Sequence, residues 1–456
     1  MYLDINWKTD KLKNLILFTR DGEWGKDQPF YDYIKMGIIR GTDFNSLRNG
    51  YAKSVPQRFI KKTVAEQKKL QADDILLETA GGTKDQPTGR SLLVTKSIVS
   101  KSEIPLTCAS FSRFLRMDKL RIYPSYLFWY FQYLYFEGIM EQHQIQHTGV
   151  ARFQFTKFSE NIDIPLPPLP EQRAIAEILS SIDEKIELNN QMNRTLEATA
   201  QAIFKQWFVD FEFPLGYAQG KPITQASATL SQRSEAKKES SNTQRSLSVA
   251  EMSGYKSSGG KMIDSELGPI PEGWRVGILN DVVEITSGKR PKEISDIKTS
   301  LYRYPLIGAS KIMGYVSEWL FDEKIIVIGR VGTHGVIQRF SLPTWPSDNT
   351  LVFKSDYYNY SYQILNNVNF SELNRGSTQP LITQTDMKNI RILIPDNECL
   401  VFYETVTNSI FDKIEINNKE SQTLSTLRDT LLPKLMSGEL RVPEEIVKRY
   451  EEAVSK

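Results

Sequence analysis

The chain has 456 residues, 57 basic against 55 acidic side chains, 40% hydrophobic content and two cysteines, Cys108 and Cys399. That length supports two or three domains with substantial cores, and two cysteines exclude both a disulfide framework and a cysteine zinc site. No apolar run approaches the ~18 residues of a membrane span, and the first residues lack the basic, apolar, small order of a signal peptide, so the chain reads as soluble and cytoplasmic.

Residues 1–160 mix short apolar strands with turns. Asp73–Thr79 reads as a strand followed by a glycine turn at Gly81-Gly82, with further strands at Leu92–Val94 and Phe111–Arg116. The aromatic run from Pro124 to Phe136 reads as a buried helix rather than a stacking platform.

Residues 161–213 change character. After the proline-rich stretch at 165–170, no proline or glycine occurs until Pro214. Ile175, Leu179, Ile182, Ile186, Asn189, Asn193, Leu196, Ala200, Ile203 and Trp207 recur at spacings of three and four, a heptad seam with asparagines in its middle. Some forty residues of helix make a rod of about 60 Å, whose apolar stripe needs an equally long partner.

Residues 214–265 are rich in Ser, Thr, Gln, Gly and Lys and read as a flexible linker. Residues 266–388 form a second globular region. It has strands at Val276–Ile285 and Glu323–Ile328 and a glycine loop at Gly329–Gly335.

The region 389–440 then repeats 161–213 at a constant offset of 228, with a tail at 441–456. Lys185-Ile186-Glu187 and Asn189-Asn190 fall on Lys413-Ile414-Glu415 and Asn417-Asn418. Ile410, Ile414, Asn417 and Leu424 continue the seam in register. One supersecondary unit has been duplicated, and the two rods most simply pack against each other. Asn189 and Asn417 then have two readings, a buried amide pair that sets register or a hydrated gap between rods.

Charge is unevenly spread. Residues 1–160 carry 24 basic and 17 acidic side chains, whereas 161–213 carry 4 and 9, and 389–456 carry 9 and 12. Any contact with a polyanionic backbone therefore belongs to the globular regions and not to the rods.

Catalytic signatures are missing. Gly329–Gly335 lacks the Gly-Lys-Ser/Thr of a phosphate loop, no G-x-G-x-x-G joins a strand to a helix, and no Asn/Asp-Pro-Pro-aromatic tetrapeptide is present. His143 and His147 stand four apart without supporting ligands and read as exposed polar residues.

The expected fold is α+β: two mixed α/β globular domains separated by two long helices in an antiparallel coiled coil, related by a pseudo-two-fold. Duplex DNA has the same local symmetry, so two dissimilar readers held at a set distance suit two separated, dissimilar half-sites.

Several motifs carry a family resemblance. PLPPLPEQ at 165–172, DEKIELNN at 183–190, IFKQWFVDF ending at 211, SELGPIPEGW at 265–274 and LLPKLMSGELRV at 431–442 resemble, in order, the conserved segments of type I restriction–modification specificity subunits. Two departures stand out. The first domain lacks the glycine–tryptophan opening of the second, and Asp396-Asn397-Glu398-Cys399 replaces the proline-rich start of the first rod.

The resemblance implies target recognition domains at 1–160 and 266–388 and conserved helical regions at 161–213 and 389–440. It implies a non-catalytic reader of double-stranded DNA at an asymmetric bipartite site, assembled with two methylation and two endonuclease subunits. No cofactor belongs to this chain; S-adenosylmethionine, ATP and magnesium go to the partners. A single-chain restriction–methylation enzyme and a purely structural coiled-coil adaptor are the competing readings.

Candidate DNA contacts are Lys84, Arg90, Arg113 and Arg116 in the first domain. In the second they are Lys289, Arg290 and Lys292 after Gly288, and Arg330, Thr333 and His334 in the glycine loop. For each, a plain surface charge is the alternative. Phe204, Trp207, Phe208 and Phe211 form either an exposed face for a methylation subunit or coiled-coil core.

Overall fold

The computed structural model describes residues 7–48, 55–82, 86–147, 150–214, 254–330, 335–370, 372–373 and 381–454. These residues form two compact units, one from Met1–Asn193 with Glu415–Lys456, the other from Arg194–Ile414.

The first unit begins β1 (Lys8–Lys11), α1 (Leu12–Leu15), β2 (Ile16–Asp21), β3 (Tyr33–Ile39), α2 (Phe44–Arg48), β4 (Gln57–Lys61) and α3 (Lys62–Lys68). It continues β5 (Ile75–Glu78), β6 (Ala80–Gly82), β7 (Ser91–Leu93), α4 (Lys96–Ser100), β8 (Leu106–Cys108), β9 (Ser112–Met117) and α5 (Pro124–Phe136). Then come β10 (Gln144–His147), β11 (Val150–Phe153), α6 (Phe155–Asn161), β12 (Asp163–Leu166) and the helix α7 (Leu169–Phe208).

A four-stranded antiparallel sheet has the order β2-β9-β5-β7. A three-stranded sheet, β4-β3-β8, joins β3 to β4 antiparallel and to β8 parallel. β1 pairs with β12, the strand that leads into α7. Gly81 and Gly82, expected in a turn, lie in β6, which pairs with β11. A Cβ on Gly82 would stand 2.7 Å from the Thr88 nitrogen, so only glycine lets the strand pass this close. His143 ends a tight turn and packs edge-on against Phe158, while His147 lies in a strand, so they do not share a helical face.

The second unit contains β13 (Met262–Ile263), β14 (Ile270–Pro271), β15 (Arg275–Ile278), β16 (Glu284–Ser287), β17 (Tyr304–Ile307), β18 (Ile312–Val316), β19 (Ile325–Gly329) and β20 (Ile337–Phe340). It ends with β21 (Trp345–Pro346), β22 (Thr350–Lys354), α8 (Tyr358–Asn366), α9 (Gln384–Lys388), β23 (Arg391–Ile394) and the helix α10 (Asn397–Met436). The expected single strand at 276–285 is interrupted at Leu279–Asp281, where the Asp281 carboxylate accepts the Ile278 N–H at 3.2 Å and closes a turn.

Despite their unlike sequences, the two units repeat one topology. The order β16-β22-β19-β20 matches β2-β9-β5-β7, and β18-β17-β21 has the same antiparallel and parallel neighbours as β4-β3-β8. β15 pairs with β23, the strand leading into α10, as β1 pairs with β12.

Both long helices contain 40 residues and lie 228 positions apart from end to end. Pro170 occupies the first turn of α7, where its missing N–H costs nothing. The departure at 396–399 is a different cap: Asp396 accepts the Cys399 N–H at 2.8 Å with one oxygen and the Trp274 indole N–H at 3.0 Å with the other.

In each unit a shorter helix packs on the long ones. Leu127, Trp129 and Phe131 of α5 share a core with Ile175, Leu179, Leu432 and Leu435. In the second unit Tyr360, Ile364 and Leu365 of α8 do the same with Phe204, Trp207, Phe208 and Tyr403.

Two expectations need correction. Residues 215–253 lie outside the described residues, but 254–265 are built into the second unit: Tyr255 stacks on Phe213 at 4.6 Å and β13 pairs with β14. The segment read as a tail forms α11 (Glu444–Val454), whose Ile446, Val447 and Tyr450 pack on the first unit's core. Arg441 grips the buried Glu171 of α7 with two hydrogen bonds of 2.7 and 3.0 Å.

Candidate nucleic-acid interface

Of the proposed DNA contacts, Lys84, Thr333 and His334 lie outside the described residues. The arginines of the first unit are held by carboxylates. Arg90, immediately before β7, is bidentate to buried Glu78 at 2.8 and 2.6 Å, and this bond holds its proton more firmly than usual despite desolvation. Arg116 on β9 is bidentate to buried Asp74, both bonds 2.8 Å, and lies over the rings of Phe18 and Phe114. Arg113 donates to Asp21 at 2.8 Å and covers Phe155. Each guanidinium is thus committed to its own sheet.

The second unit differs. Gly288 lies under the chain at Pro346 and Ser347, where a Cβ would meet carbonyl oxygens at 2.4 and 2.2 Å. The backbone of the next residue is pinned there: the Lys289 N–H donates to Pro346 at 3.0 Å, and its carbonyl accepts the Trp345 indole N–H at 2.7 Å. The side chains of Lys289, Arg290 and Lys292 are exposed, and none is in an ion pair among the described residues.

The same segment is bridged to β18 through Ser295 and Tyr315. Exposed Lys298, Arg303 and Lys311 add to this basic surface, and Trp319 stands beside it, edge-on to Tyr304 at 5.1 Å. These four were missed by the sequence reading, although the cluster of basic residues after Gly288 was its signal. Arg330, after β19, is half-buried, with its backbone clamped between Asn349 and Ile382. Its Nε finds no acceptor among the described residues.

The seam residues lie where the long helices meet, and within each unit the pairing is antiparallel. In the first unit Ile182 is buried and Ile186 and Leu424 are half-buried. The buried Asn189 amide donates to Glu420 at 2.9 Å and Ser421 at 3.3 Å. The side chains of Asn189 and Asn417 do not bond to each other: the Asn189 amide also reaches the Asn417 backbone carbonyl at 3.5 Å, whereas the Asn417 amide donates to Asn193 at 2.8 Å, and Asn193 donates to Asn418 at 2.8 Å. In the second unit Leu196 and Ala200 share a cluster with Ile410, Phe411 and Ile414.

The aromatic quartet is not an exposed docking face. Phe204, Trp207 and Phe208 are buried in the second unit's core, with Trp207 stacked on Phe402 at 5.3 Å and Phe208 edge-on to Tyr360 and Tyr403 at 4.9 Å. Phe211 is half-buried against Trp274.

Among the described residues no group of three His, Cys, Asp or Glu side chains is placed to hold a metal, and no helix is long and apolar enough to cross a membrane. What the site offers is a loop, bridged to β18, in which exposed basic side chains outnumber the acidic Glu293 and Asp296, a surface suited to a polyanion.

The comparison with known proteins agrees with this architecture. The family described as "Type I restriction modification DNA specificity domain" matches residues 4–198 and 271–426, and the chain belongs to that family. Membership makes it a specificity component of a restriction–modification system and not a catalyst.

Among its relatives, the HindI specificity subunit of Haemophilus influenzae is 26% identical over 318 residues, spanning 61% of this chain and 69% of the relative. The MjaVIII specificity subunit of Methanocaldococcus jannaschii is 25% identical over 442 residues, 87% of this chain and 84% of the relative. The crystal structure of the type I S subunit from M. genitalium has the same fold, with a TM-score of 0.56 at 15% identity, covering 95% of this chain and 97% of that one.

Proposed function

We propose that the chain reads an asymmetric bipartite DNA site, one half through each globular unit, as the specificity subunit of a cytoplasmic type I restriction–modification complex. One observation carries this reading: a single topology occurs twice, each copy tied to one copy of a 40-residue helix, with unlike residues on the two copies. Identical readers would favour a palindrome; dissimilar readers favour two different half-sites.

The complex holds two methylation subunits and two endonuclease subunits. S-adenosylmethionine, ATP and magnesium act on those partners, and the modified base is adenine. With the aromatic quartet in the core, the methylation subunits dock on other faces of the helices. The phosphate-facing surface of the second unit is the one bearing Lys289, Arg290 and Lys292.

The test is reconstitution. The purified chain with S-adenosylmethionine alone leaves DNA unmodified; adding the methylation subunit gives adenine methylation at one bipartite sequence. Mapping methylated adenines in host DNA with and without this chain identifies that sequence. Methylation by the chain alone, or an unchanged host pattern on its removal, would overturn the reading.

A further inference from the structure

In each unit one arginine of the recognition domain reaches the long helices, and the rod positions the two arginines meet are duplicates with different chemistry. In the first unit Arg48, the last residue of α2, donates through Nε to Asp183 of α7 at 2.7 Å and through Nη1 to Gln132 of α5 at 2.7 Å. Its guanidinium faces the rings of Phe128 and Trp129 at 5.4 and 5.1 Å. Arg428 of α10 donates to the other oxygen of Asp183 at 2.6 Å. Gln132 in turn donates to Ser91 of β7 at 2.8 Å. An unbroken polar chain therefore runs from the domain's sheet, through two of its helices, to both long helices.

In the second unit the arginine is Arg339 on β20. It donates to Asn359 of α8 at 2.7 Å, as Arg48 does to Gln132. Asn359 donates onward to Thr407 and Asn408 of α10 at 3.1 and 2.9 Å. Arg339 forms no ion pair with the long helices among the described residues, although its charge is felt by Glu197 of α7 and Glu404 of α10; its guanidinium lies 3.7 Å from the Phe411 ring centroid, with Tyr358 and Tyr362 at 4.5 and 4.7 Å. Phe411 packs on Ala200 of α7.

The offset of 228 makes Phe411 the duplicate of Asp183, and Ala200 the duplicate of Arg428. One tie is thus an arginine–carboxylate–arginine triad. The other is a cation held between aromatic faces, with a small residue leaving room for the ring. Position by position the chemistry has been exchanged, while the role of the site has been kept.

We propose that Arg48 and Arg339 are positioning residues that fix the angle of each recognition domain on the helix pair, and so set how strictly the length of the spacer between half-sites is read. Neither need touch DNA. Because each tie takes two rod residues, Asp183 with Arg428 or Phe411 with Ala200, changing one member alone breaks it and changing both converts it. This inference rests on the bipartite reading above.

The experiment uses the full chain reconstituted with its methylation subunit, on duplexes carrying the mapped half-sites at the native spacer and at one base pair more and fewer. In Arg48→Ala the preference for the native spacer falls by about tenfold or more, the change expected on loss of its charge-assisted bonds to Asp183 and Gln132, while the half-site sequences stay the same. Arg48→Lys restores part of it, since it keeps the charge but not the planar fork. Asp183→Phe alone behaves like Arg48→Ala, and Asp183→Phe with Arg428→Ala recovers the preference by stacking.

A uniform loss of rate at every spacer, or an unchanged preference in Arg48→Ala, overturns the positioning role. A wild-type chain with no bipartite preference overturns the functional reading instead. A second measurement needs no DNA: spin labels at exposed Lys101→Cys and Glu184→Cys report the distance from the first domain to α7. That distribution broadens in Arg48→Ala, and an unaltered width also overturns the proposal.

Discussion

Replacing Asn193 and Asn417 with leucine, singly and together, tests whether the polar break in the seam serves stability or alignment. Asn417 donates to Asn193 at 2.8 Å, and both residues are buried, 1% and 8% exposed. Removing either amide strands its partner, at a cost of about 1–3 kcal/mol. The wild-type network is itself incomplete, since the Oδ1 atoms of Asn189 and Asn417 are buried without a donor among the described residues. The double variant removes the orphaned Asn417 oxygen and adds two apolar side chains to the seam, so it should equal or exceed the wild type.

The two substitutions should therefore couple by about 2 kcal/mol or more, well beyond the ~0.5 kcal/mol of independent sites. Hydrogen exchange of the α7 amides at 185–193 reads the local opening free energy without treating a two-unit chain as two-state. A shift of alignment is read by cysteine crosslinking. Asn189→Cys with Ser421→Cys joins the native register, and Asn189→Cys with Arg428→Cys reports a slipped one, expected only with the double leucine background. Strict additivity in the exchange data, or a single leucine that stabilises, would refute the reasoning.

Arg90→Ala should cost about 3–5 kcal/mol in a thermal or urea melt, because it leaves the buried Glu78 carboxylate alone. The triple change Lys289→Ala, Arg290→Ala and Lys292→Ala should leave stability within about 0.5 kcal/mol, yet make the salt dependence of DNA binding shallower, by ~0.9 in slope for each phosphate no longer neutralised. Burial pushes the Cys108 thiol up to about 12, so it should resist thiol reagents at pH 8 until the first unit unfolds. Glu404 caps α8 by accepting the Asn359 and Tyr360 N–H groups, and its burial raises its pKa above the ordinary 4.5. The folded chain then holds that proton more tightly than the unfolded chain, so stability falls as pH rises from about 4.5 through the raised value, a slope that Glu404→Gln should make shallower, with Glu197, also raised by desolvation, supplying part of what remains.

The long helices were legible because their signal repeats. Seam spacing and the copied KIE and NN motifs point to two matched rods, helped in the first by a run without glycine or proline after Pro170; the second carries Pro433 in its last turns, and both measure 40 residues. The shared topology of the domains was not legible. Its diagnostic pairing, parallel β3 on β8, joins Gly37 to Leu106 across a long interval filled with other elements, and such a partner leaves no mark in a local pattern. The carboxylate partners of the arginines were hidden for a related reason. Arg116 sits 42 positions from Asp74, and only the pleat that makes β5 and β9 neighbours brings the two charges together.

The aromatic quartet shows where periodicity stops being informative. A helix end rich in Phe and Trp demands a cover, but its own pattern is the same whether that cover is another subunit or the chain's own Tyr360, Trp274 and Tyr403. The duplicate pair Asp183 and Phe411 carries the opposite lesson. Their correspondence could be read from the offset alone, and taken alone it looks like drift at an outer rod position. Only with Arg48 and Arg428 on the carboxylate, and Arg339 on the ring, does the difference acquire a cause. Duplication preserved what both halves need, a rod with a seam. At the positions that face each domain the copies differ, Asp183 against Phe411 and Arg428 against Ala200, and each copy suits the arginine it meets.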